Sequence, residues 1–132
     1  MDLVSHVVAG AFTGYSFGYP VTGAVFGILP DLVLGFKRRR FPTQAYNLTH
    51  SLAFCAAVGV LWWGITGSLV AFFAVLSHIV LDLPTHGRYW APMLFYPILR
   101  KRFSFGEEWE WFSESWFIGL IVTVIWSLVC VI

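Results

Sequence analysis

The stretch that decides the fold runs from residue 46 to residue 83, YNLTHSLAFCAAVGVLWWGITGSLVAFFAVLSHIVLDL. At about 1.5 Å per residue in a helix, this apolar run is too long for one crossing of a hydrocarbon core about 30 Å thick. Gly64 and Gly67 supply a turn signal at its middle. We therefore expect a helical hairpin of residues 46–65 and 67–83, and Pro84 should end or kink its second arm because proline lacks a backbone N–H.

Three further apolar runs complete the predicted architecture. Residues 3–19 and 21–36 are separated by the turn signal Gly18-Tyr19-Pro20, and residues 116–132 are apolar throughout. Because a backbone in lipid must satisfy its own hydrogen bonds, these runs are expected to be helices. The sequence thus predicts one all-α domain over residues 1–132, an integral membrane bundle of about five short transmembrane helices. Residues 84–115 form its long loop, and a re-entrant hairpin is the alternative for the short first pair.

Small residues recur along the first pair of predicted helices. Such spacing is typical of helices whose backbones approach closely, although glycine is also common in membrane helices generally. The glycines concerned are Gly10, Gly14, Gly18, Gly23 and Gly27.

The composition agrees with a membrane protein. Hydrophobic residues make up 58% of the 132 residues and charged residues only 11%, against roughly 25% in an ordinary soluble domain. The length excludes an enzyme with separate cofactor and substrate domains. The net charge of +1 argues against a nucleic-acid partner, since no extended basic face is available. Cys55 and Cys130 lie inside apolar runs and are predicted to be buried and free of disulfides.

The basic residues predict the orientation. Seven of the eight lie in two clusters, residues 37–40 and 100–102. Because short loops rich in lysine and arginine stay in the cytoplasm, both clusters and the N-terminus are expected on the cytoplasmic side of the inner membrane. The Trp-rich acidic segment GEEWEWFSESW, residues 106–116, is expected to lie among lipids at the membrane interface.

Ionisable side chains interrupt the apolar runs near one end of the predicted bundle. Successive helices of the bundle run in opposite directions. Residues near the start of the first and third helices therefore lie at the same depth in the membrane as residues near the end of the second and fourth. The residues concerned are His6, Asp31, His50, His78 and Asp82. His78 and Asp82 are four residues apart and share one helix face, which lets them bind one ion together. This ligand chemistry suits zinc, with manganese or iron(II) as alternatives, and favours hydrolysis by metal-activated water.

Each of these residues also has a simpler structural explanation. A single histidine in a membrane helix can hydrogen-bond to a neighbouring helix, and His78 with Asp82 can form a buried neutralising pair. Asp31 follows Pro30 and could shape a turn. Asp2 either orients His6 or complements the dipole of the first helix.

Two residues beyond Pro84 are candidates for catalysis. His86 continues the four-residue spacing of His78 and Asp82, and it could act as a ligand or as a catalytic group. Arg88 carries a planar guanidinium that suits a substrate phosphate, and contact with lipid headgroups is its alternative role. We assign both residues to the handling of the leaving group and the phosphate.

The order and spacing of these residues resemble those of a known family, the small inner-membrane proteins described as metal-dependent hydrolases. The segments DLPTHGRYWAPMLFYP and FSFGEEW resemble one branch of it, and the resemblance covers about residues 3–111. The motifs that carry it are His6, Pro30-Asp31, Thr49-His50-Ser51 and His78-x-x-x-Asp82. It implies a relation to the zinc-dependent phospholipases C and single-strand nucleases, a phosphoester substrate, and the five residues above as ligands of one or two ions. The sequence departs from the family pattern at Val33 and at Ala45-Tyr46-Asn47, and these departures argue against a larger cluster of metal ions.

Our leading hypothesis from the sequence is a metal-dependent hydrolase in the inner membrane, acting near the cytoplasmic leaflet on a phosphoester of a lipid or amphiphile. A metal or proton transport component is one alternative, because buried acids and histidines also mark ion pathways. The ligands, however, gather at one end of the bundle. A non-catalytic membrane interaction protein is the third class, and the sequence leaves a homo-oligomer open.

Overall fold

A computed structural model describes residues 2–32, 42–105 and 114–132. These ranges contain helices and no strand, so the all-α prediction is confirmed for them. Among the described helices, none is both long enough and apolar enough to cross a membrane. The basic cluster of residues 37–40 and residues 106–113 of the Trp-rich segment lie outside the described ranges. The helices are α1 (Leu3–Ser16), α2 (Pro20–Leu32), α3 (Gln44–Thr49), α4 (Leu52–Thr66), α5 (Val70–Thr85) and α6 (Glu114–Val131).

The helix predicted over residues 46–65 is divided in two. The prediction of one continuous helix is wrong here, because Ser51 adopts an extended backbone and its hydroxyl accepts a hydrogen bond from the N–H of Phe54. The N–H of Leu52 bonds to the carbonyl of Leu94, 2.9 Å away, instead of continuing the helix. His50 is therefore the C-cap of α3, and the expectation that it lies early within a continuous helix of residues 46–65 is also wrong.

Helix α5 is the centre of the bundle and packs against α1, α2, α4 and α6. Val75 and Ile79 are buried with Cys55 of α4, and partly buried aromatic side chains such as Phe26 and Phe72 surround them. The turn into α5 is made by Gly67, whose positive φ of 71° ends α4 in the left-handed conformation that glycine adopts without strain. Proline does not stop α5 at once, since the helix ends one residue after Pro84.

Helix α6 is held against α1 by polar contacts. The indole N–H of Trp126 donates to the hydroxyl of Thr13 across 2.8 Å, and the Ser16 hydroxyl donates to the carbonyl of Cys130. Cys55 and Cys130 are both free thiols. Cys55 is fully buried as expected, whereas Cys130 is only partly buried because it lies near the end of α6.

Helices α1 and α2 touch backbone to backbone through glycines. A methyl group added at Gly10 would lie 2.5 Å from the carbonyl oxygen of Gly23 and 2.9 Å from the α-carbon of Gly27. Gly14 contacts the backbone of Gly23 in the same way, so these four glycines serve close approach. Gly18 differs, because it has a φ of 78° in the turn between the two helices and nothing within 4 Å of an added methyl group.

The close approach predicts that Gly10→Ala destabilises the protein by about 1–3 kcal/mol, because the backbones must separate to admit a methyl group. Gly64→Ala is the matched control, since Gly64 is a helical glycine with nothing within 4 Å of an added methyl group. Alanine there should be neutral or stabilising by about 0.5–1 kcal/mol. Unfolding of the detergent-purified variants measures both effects, and equal stability of the two would contradict the packing described.

Candidate metal centre

The five predicted ligands come together at one end of the bundle. His6 lies in the first turns of α1, Asp31 near the end of α2, His50 at the cap of α3, and His78 with Asp82 on one face of α5. Asp82 and the three histidines are buried, whereas the side chain of Asp31 is 32% exposed. Four segments that are distant in sequence therefore contribute to a single cluster with one partly open side.

Two imidazoles face each other at the centre of the cluster. His50 Nε2 lies 3.1 Å from His78 Nε2. Asp82 Oδ2 is 3.5 Å from the first nitrogen and 3.2 Å from the second. Asp31 Oδ1 is 3.5 Å from His50 Nε2 and 3.9 Å from His78 Nε2. Two nitrogen and two oxygen atoms thus surround one small volume.

Backbone carbonyls fix the protonation of both imidazoles. His78 Nδ1 lies 2.7 Å from the carbonyl oxygen of Gly27, and His50 Nδ1 lies 3.1 Å from that of Tyr46. A carbonyl oxygen can only accept, so these contacts favour a proton on each Nδ1, and the Thr49 hydroxyl 3.0 Å from His50 Nδ1 can accept from the same proton. A neutral imidazole protonated at Nδ1 has its lone pair at Nε2. In that tautomer the two Nε2 lone pairs point at each other across 3.1 Å.

This arrangement is repulsive unless a positive charge lies between the two nitrogens. A shared proton or a bound cation would remove the repulsion. The neighbouring carboxylates favour a divalent cation, because Asp31 and Asp82 together bring two negative charges into a largely buried place. Within the described ranges, the ion-pair partners of both carboxylates are histidines.

The dimensions of the cluster are close to those of a metal site, since the ligand atoms of His50, His78 and Asp82 all lie within 4.8 Å of one another. Ligand bonds of 2.0–2.1 Å place neighbouring ligand atoms about 3.3 Å apart. The five separations given above for His50, His78, Asp31 and Asp82 range from 3.1 to 3.9 Å. The side chains therefore need only small movements to coordinate an ion.

Asp82 also faces a second pair of histidines through its other carboxylate oxygen. Asp82 Oδ1 lies 3.1 Å from His6 Nε2 and 3.1 Å from His86 Nδ1. The His6 ring is stacked on His78 with a centroid separation of 3.7 Å, and its buried Nδ1 has no hydrogen-bond partner among the described residues. His6 is thus held by stacking on His78 and by its contact with Asp82, and its Nδ1 is available to a ligand.

The sequence model of the family described as YdjM inner membrane protein matches residues 1–132 of this chain. The chain belongs to that family. No curated protein and no solved structure matches it. Membership confirms the inner-membrane part of the resemblance, whereas the relation to phospholipases C and nucleases stays a prediction.

The two predicted catalytic residues of this YdjM family member lie in different surroundings. The side chain of His86 is 19% exposed, so it lies at the rim of the cluster beside Asp82. Arg88 is exposed and makes no hydrogen bond or ion pair with the described residues. The structure brings His86 to the five candidate ligands and leaves Arg88 outside that group.

Sequence reasoning missed several residues that build the centre. Gly27 supplies the carbonyl that holds His78, and Tyr46 supplies the carbonyl that holds His50. A backbone carbonyl leaves no signature in the residue type, so only the structure could identify these roles. Asp2 does not orient His6, since its carboxylate caps α1 by accepting from the N–H and the hydroxyl of Ser5 at 2.8 and 2.7 Å.

Proposed function

We propose that this protein is a hydrolase that depends on a divalent transition metal and acts on a phosphoester of a lipid or amphiphile. The single observation that carries the proposal is the pair of facing Nε2 atoms of His50 and His78, 3.1 Å apart. Both imidazoles have their other nitrogen committed to a carbonyl oxygen, and two carboxylates lie beside them. A divalent cation is the species that best satisfies this arrangement.

His50, His78 and Asp82 would hold one ion, with Asp31 at its partly open side. Zinc is the first choice, and manganese or iron(II) are alternatives. His6, Asp31 and His78 form a second group whose ligand atoms lie within 4.8 Å of one another, so the expected content is one or two ions. When bound, such an ion lowers the pKa of a water molecule and polarises a phosphoryl oxygen. The carbonyls of Gly27 and Tyr46 keep the two imidazoles in the orientation that binding requires.

His86 at the rim and Arg88 outside the cluster would complete the reaction. In hydrolysis the water oxygen bonds to phosphorus and releases one of its protons to solvent, the bond from phosphorus to the leaving oxygen breaks, and that oxygen gains a proton. His86 is suited to deliver this proton, because it is partly exposed and Asp82 lies 3.1 Å from its Nδ1. Arg88 would bind the phosphate with its exposed guanidinium. Partial exposure of Asp31 gives substrate a way into the cluster.

We also propose that the chain is a multi-pass protein with this site near the cytoplasmic leaflet. Large apolar side chains such as Val21 and Ile65 are 77% and 80% exposed on the described helices, which suits contact with lipid. The basic residues 100–102 lie in the same loop as His86. A substrate drawn from membrane lipids would reach such a site directly.

The proposed orientation can be tested by chemical labelling. With Cys130 replaced by serine, a cysteine introduced at the exposed position Arg100 should react with a membrane-impermeant maleimide in inverted inner-membrane vesicles. The same variant should remain unlabelled in spheroplasts, which expose only the periplasmic side. Labelling in spheroplasts would overturn the proposed orientation.

Metal analysis tests the centre itself. The purified protein should contain about one or two zinc-type ions, and Asp82→Asn should lower its zinc affinity by more than about 100-fold, since outer-shell partners alone are worth about 10–100-fold. Asp2→Asn is the matched control, because asparagine caps a helix as well as aspartate does. A folded wild-type protein with no affinity for zinc, manganese or iron(II) would contradict the proposal.

Substitution of His86 tests the catalytic assignment. His86→Gln should lower turnover of phosphodiester or phosphomonoester lipids by about 10²–10⁴-fold, the usual contribution of a general acid, and leave the metal content unchanged. Loss of metal together with activity would make His86 a ligand instead. Ion flux in proteoliposomes without any turnover by the wild-type protein would favour the transport alternative.

A further inference from the structure

We propose that Tyr46 is a positioning residue that orients His50 and couples it to the loop of residues 86–105. The proposal rests on the metal centre described above. The Tyr46 side chain lies in α3 and is 2% exposed. The proposed reaction does not use it. Three independent contacts carry it.

Tyr46 fixes the His50 imidazole in two ways. The two rings are stacked, with centroids 3.9 Å apart and an angle of 22° between their planes. The Tyr46 carbonyl accepts a hydrogen bond from His50 Nδ1 at 3.1 Å. Stacking limits rotation of the imidazole out of its plane, and the hydrogen bond selects the nitrogen that faces the centre. Together they hold Nε2 of His50 toward His78 and Asp82.

The other end of the Tyr46 side chain is held by the loop. Its hydroxyl donates to the carbonyl oxygen of Trp90, and the two rings meet edge to face with centroids 5.1 Å apart. The Tyr46 ring centroid also lies 6.5 Å from that of His86. One aromatic ring thus joins a candidate ligand to the segment that carries the proposed catalytic histidine.

A neighbouring contact fastens the same loop to α3. Arg102 donates from Nη2 to Asn47 Oδ1 at 3.1 Å and from Nη1 to the carbonyl of Ala91 at 2.8 Å. Asn47 is the residue after Tyr46, and Ala91 is the residue after Trp90. Movement of this loop would therefore shift the position of α3 and, through Tyr46, change the orientation of the His50 imidazole.

Two substitutions separate the ring from the hydroxyl. Tyr46→Leu removes the stacking and should weaken cobalt(II) affinity by about 10–100-fold, as expected for loss of an outer-shell partner, and should change the visible absorption of the bound cobalt. Tyr46→Phe keeps the ring and should retain the wild-type cobalt spectrum. It frees the loop, so trypsin should cleave the metal-free protein faster at Arg88 and within residues 100–102.

The controls make the outcomes distinct. Tyr89→Leu and Tyr89→Phe change an exposed tyrosine of the same loop and should match the wild type in every measurement. Wild-type affinity and spectrum in Tyr46→Leu would overturn the inference. If Tyr46→Leu fails to fold, unchanged tryptic cleavage in Tyr46→Phe would overturn it. A wild-type protein that binds no cobalt or zinc would overturn the proposed function instead.

Discussion

The contact on which the rest of the structure depends is the backbone approach of α1 and α2 at Gly27. A methyl group at this position would lie 2.7 Å from the carbonyl oxygen of His6 and 2.9 Å from the α-carbon of Gly10, so no larger residue fits without moving a backbone. The carbonyl of the same glycine accepts the hydrogen bond from His78 Nδ1. Gly27 therefore joins α1, α2 and α5, and it places His6 and His78 so that their rings stack. The same glycine therefore determines both the packing of these helices and the positions of two histidines in the cluster.

The second constraint is the interruption of the helix at His50 and Ser51. If α3 and α4 were continuous, the backbone N–H groups here would be used within the helix. The break lets Ser51 cap α4 and ties Leu52 to the loop through Leu94. His50 then lies at a helix end, where its Nδ1 reaches the Tyr46 carbonyl and its Nε2 faces the cluster. A local loss of helix is thus what orients one of the two central imidazoles.

The convergence of the five ionisable residues could be predicted from sequence, because it follows from helix direction and the four-residue spacing of His78 and Asp82. The helical class could be predicted from the apolar runs. The break at residues 50 and 51 could not, since Thr49, His50 and Ser51 are polar residues that also occur inside membrane helices, and a serine cap is also an ordinary helix residue. The glycine pattern indicated close packing, yet the role of the Gly27 carbonyl depends on a contact with α5, 51 positions further along the chain.

The composition of the cluster bears on the choice between ligand binding and helix packing. Burying carboxylates and imidazoles costs desolvation free energy, and replacing a buried charged group by well-packed apolar residues is often neutral or stabilising by about 1–4 kcal/mol. A bundle that needed only to be held together would be served better by leucine and alanine, as elsewhere in α5. With a proton on each Nδ1, the facing Nε2 atoms add further repulsion. A cation would compensate both costs, and the carboxylate of Asp82 contacts four histidines, which supports the proposed role of the cluster in binding an ion over a role in packing alone.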